Sequence, residues 1–73
     1  MIEETYWVEV TSDESVPYIE NHFKNAKAKL IRIVPKRYNL LLKYKESEFD
    51  LVENELKELQ EYGILRIERK ASQ

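Results

Sequence analysis

The chain has no cysteine, one glycine, two prolines and one histidine among its 73 residues. Without cysteine, neither a disulfide frame nor a cysteine zinc site can hold it together. That matters at this length, because so short a domain buries only about 60% of its unfolded surface. A single glycine excludes a glycine-rich phosphate loop. No apolar run approaches the ~18 residues of a membrane helix, and the start "MIEETYWVEV" lacks a charged head followed by an apolar stretch. The expectation is one domain over residues 1–73, cytoplasmic, with no cofactor, no metal and no membrane partner.

What the chain has is charge, unevenly placed. Lys and Arg number 12 against 14 Asp and Glu, for a net charge of −2. Residues 1–20 hold six acids and no Lys or Arg, residues 21–45 eight bases and no acid, and residues 46–73 eight acids and four bases. The middle third is either a surface for something anionic or one half of a pattern neutralised within the fold.

Periodicity separates six elements. "TYWVEV" (residues 5–10) alternates and is rich in β-branched and aromatic residues, predicting a strand with Tyr6, Val8 and Val10 on one face and Trp7 and Glu9 on the other. "TSDES" carries helix-start residues, with Ser15 as cap and Pro17 in the first turn. Val16, Ile19, Phe23 and Ala26 then fall on one helical stripe. "AKLIRIV" (28–34) is a second strand, Pro35-Lys36-Arg37 a turn, and "YNLLLKYK" (38–45) a third strand with Leu40, Leu42 and Tyr44 on one face. Ser47 and Asp50 fit a relaxed capping box, followed by a buried stripe of Phe49, Val52, Leu56 and Leu59. Gly63 suits a left-handed helix stop, and "ILRIERK" (64–70) is a last strand with Leu65 and Ile67 toward the core. The final Ala-Ser-Gln is expected to fray.

The order strand, helix, strand, strand, helix, strand predicts an α+β fold, the ferredoxin-like βαββαβ sandwich. It has a four-stranded antiparallel sheet, strands one and three central, and two helices on one face because right-handed crossovers place both on the same side. The competing arrangement is an isolated hairpin of the middle strands beside a helical pair. The preferred plan leaves one sheet face without its own cover. Trp7 and Glu9, Arg32 and Val34, Leu41 and Lys43, and Ile64, Arg66 and Glu68 are expected there. Trp7 beside Leu41 makes an apolar centre ringed by charge, which either receives a partner or lies under the stems of Lys43 and Arg66.

The basic run has two readings. Lys43 or Lys45 facing Glu3 or Glu9 across the strands would cancel much of it. Lys29, Arg32, Lys36 and Arg37 would remain on the edge, discouraging aggregation or attracting an anion. RNA-recognition domains of this fold stack bases on aromatics of the two central strands; here only Trp7 is available, and the net charge opposes general phosphate affinity. Catalysis finds little support. His22, four residues after Tyr18, lies beside the apolar stripe, and Ser12, Asp13 and Ser15 belong to a helix start, so nothing fixes a nucleophile against the imidazole.

The stretches "YWVEV", "VPYIENHF", "NLLLKYK" and "VENELKELQEYGILRIER" together resemble small ferredoxin-like regulatory modules of the ACT and NIL kind, and short stand-alone bacterial proteins of the same plan. The resemblance spans residues 5–69 and lies mostly in hydrophobic patterning. It implies a regulatory domain that dimerises by edge or sheet face. Amino-acid-binding ACT domains usually carry glycine between the first strand and first helix; none stands there in this chain, so no ligand residue is carried over. The expectation is a non-enzymatic interaction or regulatory module, a homodimer or a binder of another protein. Trp7, Leu41, Lys43 and Arg66 form its protein interface, and Arg32, Lys36 and Arg37 form an anionic-partner contact. The alternative is a single-stranded nucleic-acid binder using Trp7 and the basic hairpin.

Overall fold

A computed structural model describes residues 1–71. Four strands, β1 (Ile2–Val10), β2 (Lys27–Val34), β3 (Arg37–Tyr44) and β4 (Leu65–Lys70), form one antiparallel sheet in the order β2-β3-β1-β4. Two helices, α1 (Val16–His22) and α2 (Phe49–Glu61), connect β1 to β2 and β3 to β4. This is the ferredoxin-like βαββαβ plan, with β1 and β3 in the centre. Tyr6, Val8 and Val10 of β1 and Tyr38, Leu40, Leu42 and Tyr44 of β3 are buried together with Ile19, Val52, Leu56 and Leu59 of the helices. The period of two in each central strand thus turns one whole face toward the helices.

The helix boundaries depart from the spacing-based expectation. Ser15 makes no side-chain cap; Ser12 accepts from the Glu14 N–H at the head of a short 3-10 turn, Asp13–Ser15, that precedes α1. Phe23 is already extended (φ −83°, ψ 118°), so α1 ends at His22, and Phe23 and Ala26 enter the core from the connection to β2. Ser47 lies inside a second 3-10 turn, Glu46–Glu48, and caps nothing; α2 therefore starts at Phe49, which stays exposed instead of joining the stripe. Glu55 takes a place in that stripe. It is buried, and its Oε2 accepts the Lys24 N–H at 3.0 Å, just past the end of α1. His22 Nε2 lies 3.1 Å from the Glu55 carbonyl and 3.2 Å from Glu58 Oε1, and its ring meets Tyr18, Phe23 and Tyr62. The histidine is packing between helices. Gly63 has φ 73°, the left-handed stop expected of it. Ile64 sits before β4, not on its outer face, and packs against the core. The Ala71 N–H donates to Thr5 O, which extends the edge pairing; Ser72 and Gln73 lie outside the described residues.

One buried acid belongs to the fold itself. Glu4 points inward from β1, accepts from the Tyr44 hydroxyl, and meets Lys70 Nζ at 2.8 Å. Burial works to raise its pKa, but the bonds from Lys70 and Tyr44 outweigh it and hold the carboxyl below its ordinary value. The same burial and the neighbouring Glu4 charge push the Tyr6 hydroxyl up to about 12. A depressed carboxyl contributes stability that is complete above its unfolded pKa and lost as pH falls through the folded one. Replacing Glu4 with Gln is expected to lower stability at neutral pH by about 1.5–3 kcal/mol, the range for hydrogen bonds to charged groups. In thermal melts across the acid range, the gap to the parent should close as pH drops below the ordinary carboxylate value of 4.5. A gap independent of pH would remove the carboxylate from this role.

Candidate interaction surface

The odd-numbered residues of β1 and β3 face away from the helices, and nothing among the described residues lies over them as a layer. Cross-strand register orders this open face into rows. Ile31, Asn39, Trp7 and Arg69 form one row across the four strands. Lys29, Leu41 and Thr5 form the next, and Lys27, Lys43 and Glu3 the one beyond. In the other direction come Val34, Arg37, Glu9 and Arg66.

Two bulges shape this surface. Arg32 pairs with Tyr38 and Val34 with Arg37, so Ile33 is an extra residue in β2. Trp7 pairs with Arg69 and Val8 with Ile67, so Glu68 is the extra residue in β4. Alternation from Leu30 already turns Arg32 inward, and the first bulge turns Val34, which would otherwise follow it, to the open face. Arg32 shares the helix side with Tyr38, close enough to Asp13 to favour that carboxylate's charged form. Its expected place on the open face is therefore corrected; Val34 is there, and Ile31 joins it. The result is a patch that the alternation of "AKLIRIV" concealed: Ile31 (42% exposed), Ile33 (44%), Val34 (48%) and Leu41 (38%). An apolar pair such as Leu30-Ile31 leaves either residue free to point inward, and only the Lys27 and Lys29 positions before it marked the outer phase.

Trp7 is only partly exposed. Arg69 lies over its ring, 4.8 Å from the centroid, a cation–π contact. The expected cover of Lys43 and Arg66 stems is replaced by this guanidinium, because the β4 bulge brings Arg69 opposite Trp7. Leu41 stands diagonally from Trp7, with Thr5 as its direct neighbour on β1. At one end of the face, Arg37 contacts Glu68 at 3.0 Å and Glu9 at 3.8 Å, and Arg66 contacts Glu9 at 3.0 Å and Glu68 at 3.3 Å. These neighbours lower the Glu9 pKa, with the Arg66 hydrogen bond the largest cause, and raise that of Arg66.

Trp7, Leu41, Lys43 and Arg66, the residues expected at a protein interface, thus lie on one face. The residues expected to meet an anion are not brought together. Arg32 is on the helix side, Arg37 is held by two carboxylates, and Lys36 sits in the β2–β3 turn at φ 69°, its N–H donating to Asp13 Oδ1. Tyr38 also donates to Asp13, and its hydroxyl and the Lys36 N–H together lower the pKa of that carboxyl.

Both sheet edges carry a block from a helix. In β2, the outward Leu30 N–H donates to Glu20 Oε2 of α1 at 2.9 Å. In β4, the Ile67 N–H meets Gln60 Oε1 of α2 at a weaker 3.4 Å. An incoming strand has to displace these side chains as well as fit past the bulges.

Among the described residues, no group of three or more His, Asp or Glu is placed to hold a metal ion, and no helix is long and apolar enough to cross a membrane. The chain matches no protein-family model, and it has no significant match among curated proteins or among solved structures.

Replacing Arg69 with Ala is expected to shift the emission of the lone tryptophan to longer wavelength, because its ring face opens to water. The stability loss should stay within about 1 kcal/mol, the range of an exposed cation–π contact. Unchanged emission would mean that the guanidinium does not cover the ring in solution.

Proposed function

We propose that this protein is a non-enzymatic interaction module that self-associates through its open sheet face. The observation that supports the reading is the exposed group Ile31, Ile33, Val34 and Leu41 beside the half-covered Trp7, on a face that no element among the described residues covers. Contiguous apolar surface ringed by charge marks interaction sites on soluble domains. The face is of the order of size that an interface needs. Four strands at ~4.8 Å spacing and about eight residues at ~3.3 Å give roughly 500 Å² in projection, and more in accessible area. A standard interface takes about 800 Å² from each partner.

A second copy is the occupant favoured by the charge pattern at the Arg37 end, where Glu9, Glu68, Arg37 and Arg66 already neutralise one another. A surface with its charges satisfied internally can be buried against its own kind without stranding an ion. Edge pairing, the other route to a dimer, is opposed by Glu20 and Gln60. The resemblance to ACT- and NIL-like regulatory modules implies association by edge or by sheet face. A nucleic-acid reading is weaker on this geometry, since a base stacking on Trp7 has to displace Arg69.

Sedimentation or native mass should give a dimer for the parent, and a monomer with an intact melting transition for Ile31→Asp and Leu41→Asp. Glu20→Ala should leave the dimer in place. A parent that stays monomeric at high concentration, or aspartate variants that remain dimers, would refute the assignment.

A further inference from the structure

At the opposite end of the open face from the neutralised Arg37 group, the charges do not cancel. Lys27 and Lys43 stand directly opposite each other on β2 and β3, and Lys29 is the next same-face residue along β2. All three are exposed, and none forms an ion pair among the described residues, although the chain has more acids than bases. Like charges directly opposite in a sheet are unfavourable. Four of the other sheet cations differ, since Arg37, Arg66 and Lys70 each reach a carboxylate and Arg69 covers Trp7; Arg32 lies on the helix side near Asp13.

Two recesses meet at this pair. One, of about 330 Å³, is bounded by Lys27, Lys29, Leu41 and Lys43, with Glu3, Glu4, Thr5 and Leu42 on its far side. The other, of about 250 Å³, adds Lys45 and Asn25 to the same two lysines. The acids at the rims are mostly engaged: Glu4 with Tyr44 and Lys70, and Glu48 with the Asn25 amide. Glu3 lies opposite Lys43 on β1, one carboxylate against three ammonium groups.

We infer that this corner is a binding site for a compact phosphate-type oligoanion, gripped by Lys27, Lys29 and Lys43. Side chains directly opposite on neighbouring strands are roughly 5 Å apart at Cβ, and diagonal ones roughly 7–8 Å. Three flexible ammonium groups at such spacing converge on a small, densely charged group. Lysine binds phosphate as a compact point charge; Arg37 and Arg66 are already taken up by carboxylates, and the corner is all lysine. A phosphate chain relieves the repulsion that the unliganded sheet tolerates. The inference goes beyond self-association; Leu41 borders both surfaces, so the two are tested by separate readouts.

The test is a titration of the full chain, followed by backbone amide shifts, with inorganic triphosphate, ATP, AMP and oligoglutamate as probes. Triphosphate should bind with shifts centred on residues 27–29 and 41–45. The Lys27→Ala/Lys43→Ala variant should bind at least about tenfold more weakly, as expected for losing two charge-assisted contacts. That variant, unliganded, should melt no lower than the parent, since a like-charge pair has been removed. Equal affinity for triphosphate and ATP would assign the phosphate chain alone; tighter ATP binding with shifts at Ile31 and Leu41 would assign a nucleotide, and either supports the site. No binding to the parent, undiminished binding to the variant, or tighter binding of oligoglutamate overturns it. Because the variant retains Ile31 and Leu41, its mass reports separately on the dimer.

Discussion

The constraint on which the structure depends is that two helices cover only one side of a four-stranded layer. On the covered side the central strands insert an unbroken alternation, Tyr6, Val8 and Val10 against Tyr38, Leu40 and Leu42. That burial is the main force holding so small a chain together. The uncovered side has to be settled by other means, and its rows show three. At one end four charges neutralise one another, in the middle Arg69 covers Trp7, and around Leu41 and the β2 bulge apolar surface is left in water. The proposed function and the proposed ligand site both follow from what this face leaves uncompensated.

The helices also act at the sheet's margins. Glu20 and Gln60 reach from α1 and α2 to the outer N–H groups of β2 and β4, so the elements that bury the inner face also obstruct both edges. Inside, Glu55 and His22 tie the two helices to each other. The polar groups of the covered side thus fix the sandwich, and the proposed recognition surface is the other side.

Much of this was legible in the residues. The element order, the inward phase of "TYWVEV" and "NLLLKY", and the stop at Gly63 all rest on local periodicity or backbone chemistry, and the structure follows them. So does the placement of Trp7, Leu41, Lys43 and Arg66 on one face. The misreadings share a cause, which is that long-range geometry overrode a local pattern. "LIRIV" is apolar in both phases; Leu30 took the inward phase and Arg32 followed it to the helix side, while the bulge at Ile33 turned Val34 outward. Ser15 and Ser47 have capping chemistry, yet 3-10 turns put the helix starts elsewhere. Nothing in the local sequence marks Glu55 as buried, because its partner, the Lys24 N–H, lies 31 residues away. The basic run was divided by register: Arg37 met acids from β1 and β4, while Lys27 met Lys43.

The central claim is that the open sheet face is where one copy meets another, and intermolecular contacts in a mixture of isotope-labelled and unlabelled chains test it most directly. The account predicts filtered NOEs from the methyls of Ile31, Ile33 and Leu41 to the sheet face of the other copy. Contacts arising instead from α1 or α2, or none at concentrations where the chain is fully dimeric by mass, would contradict it.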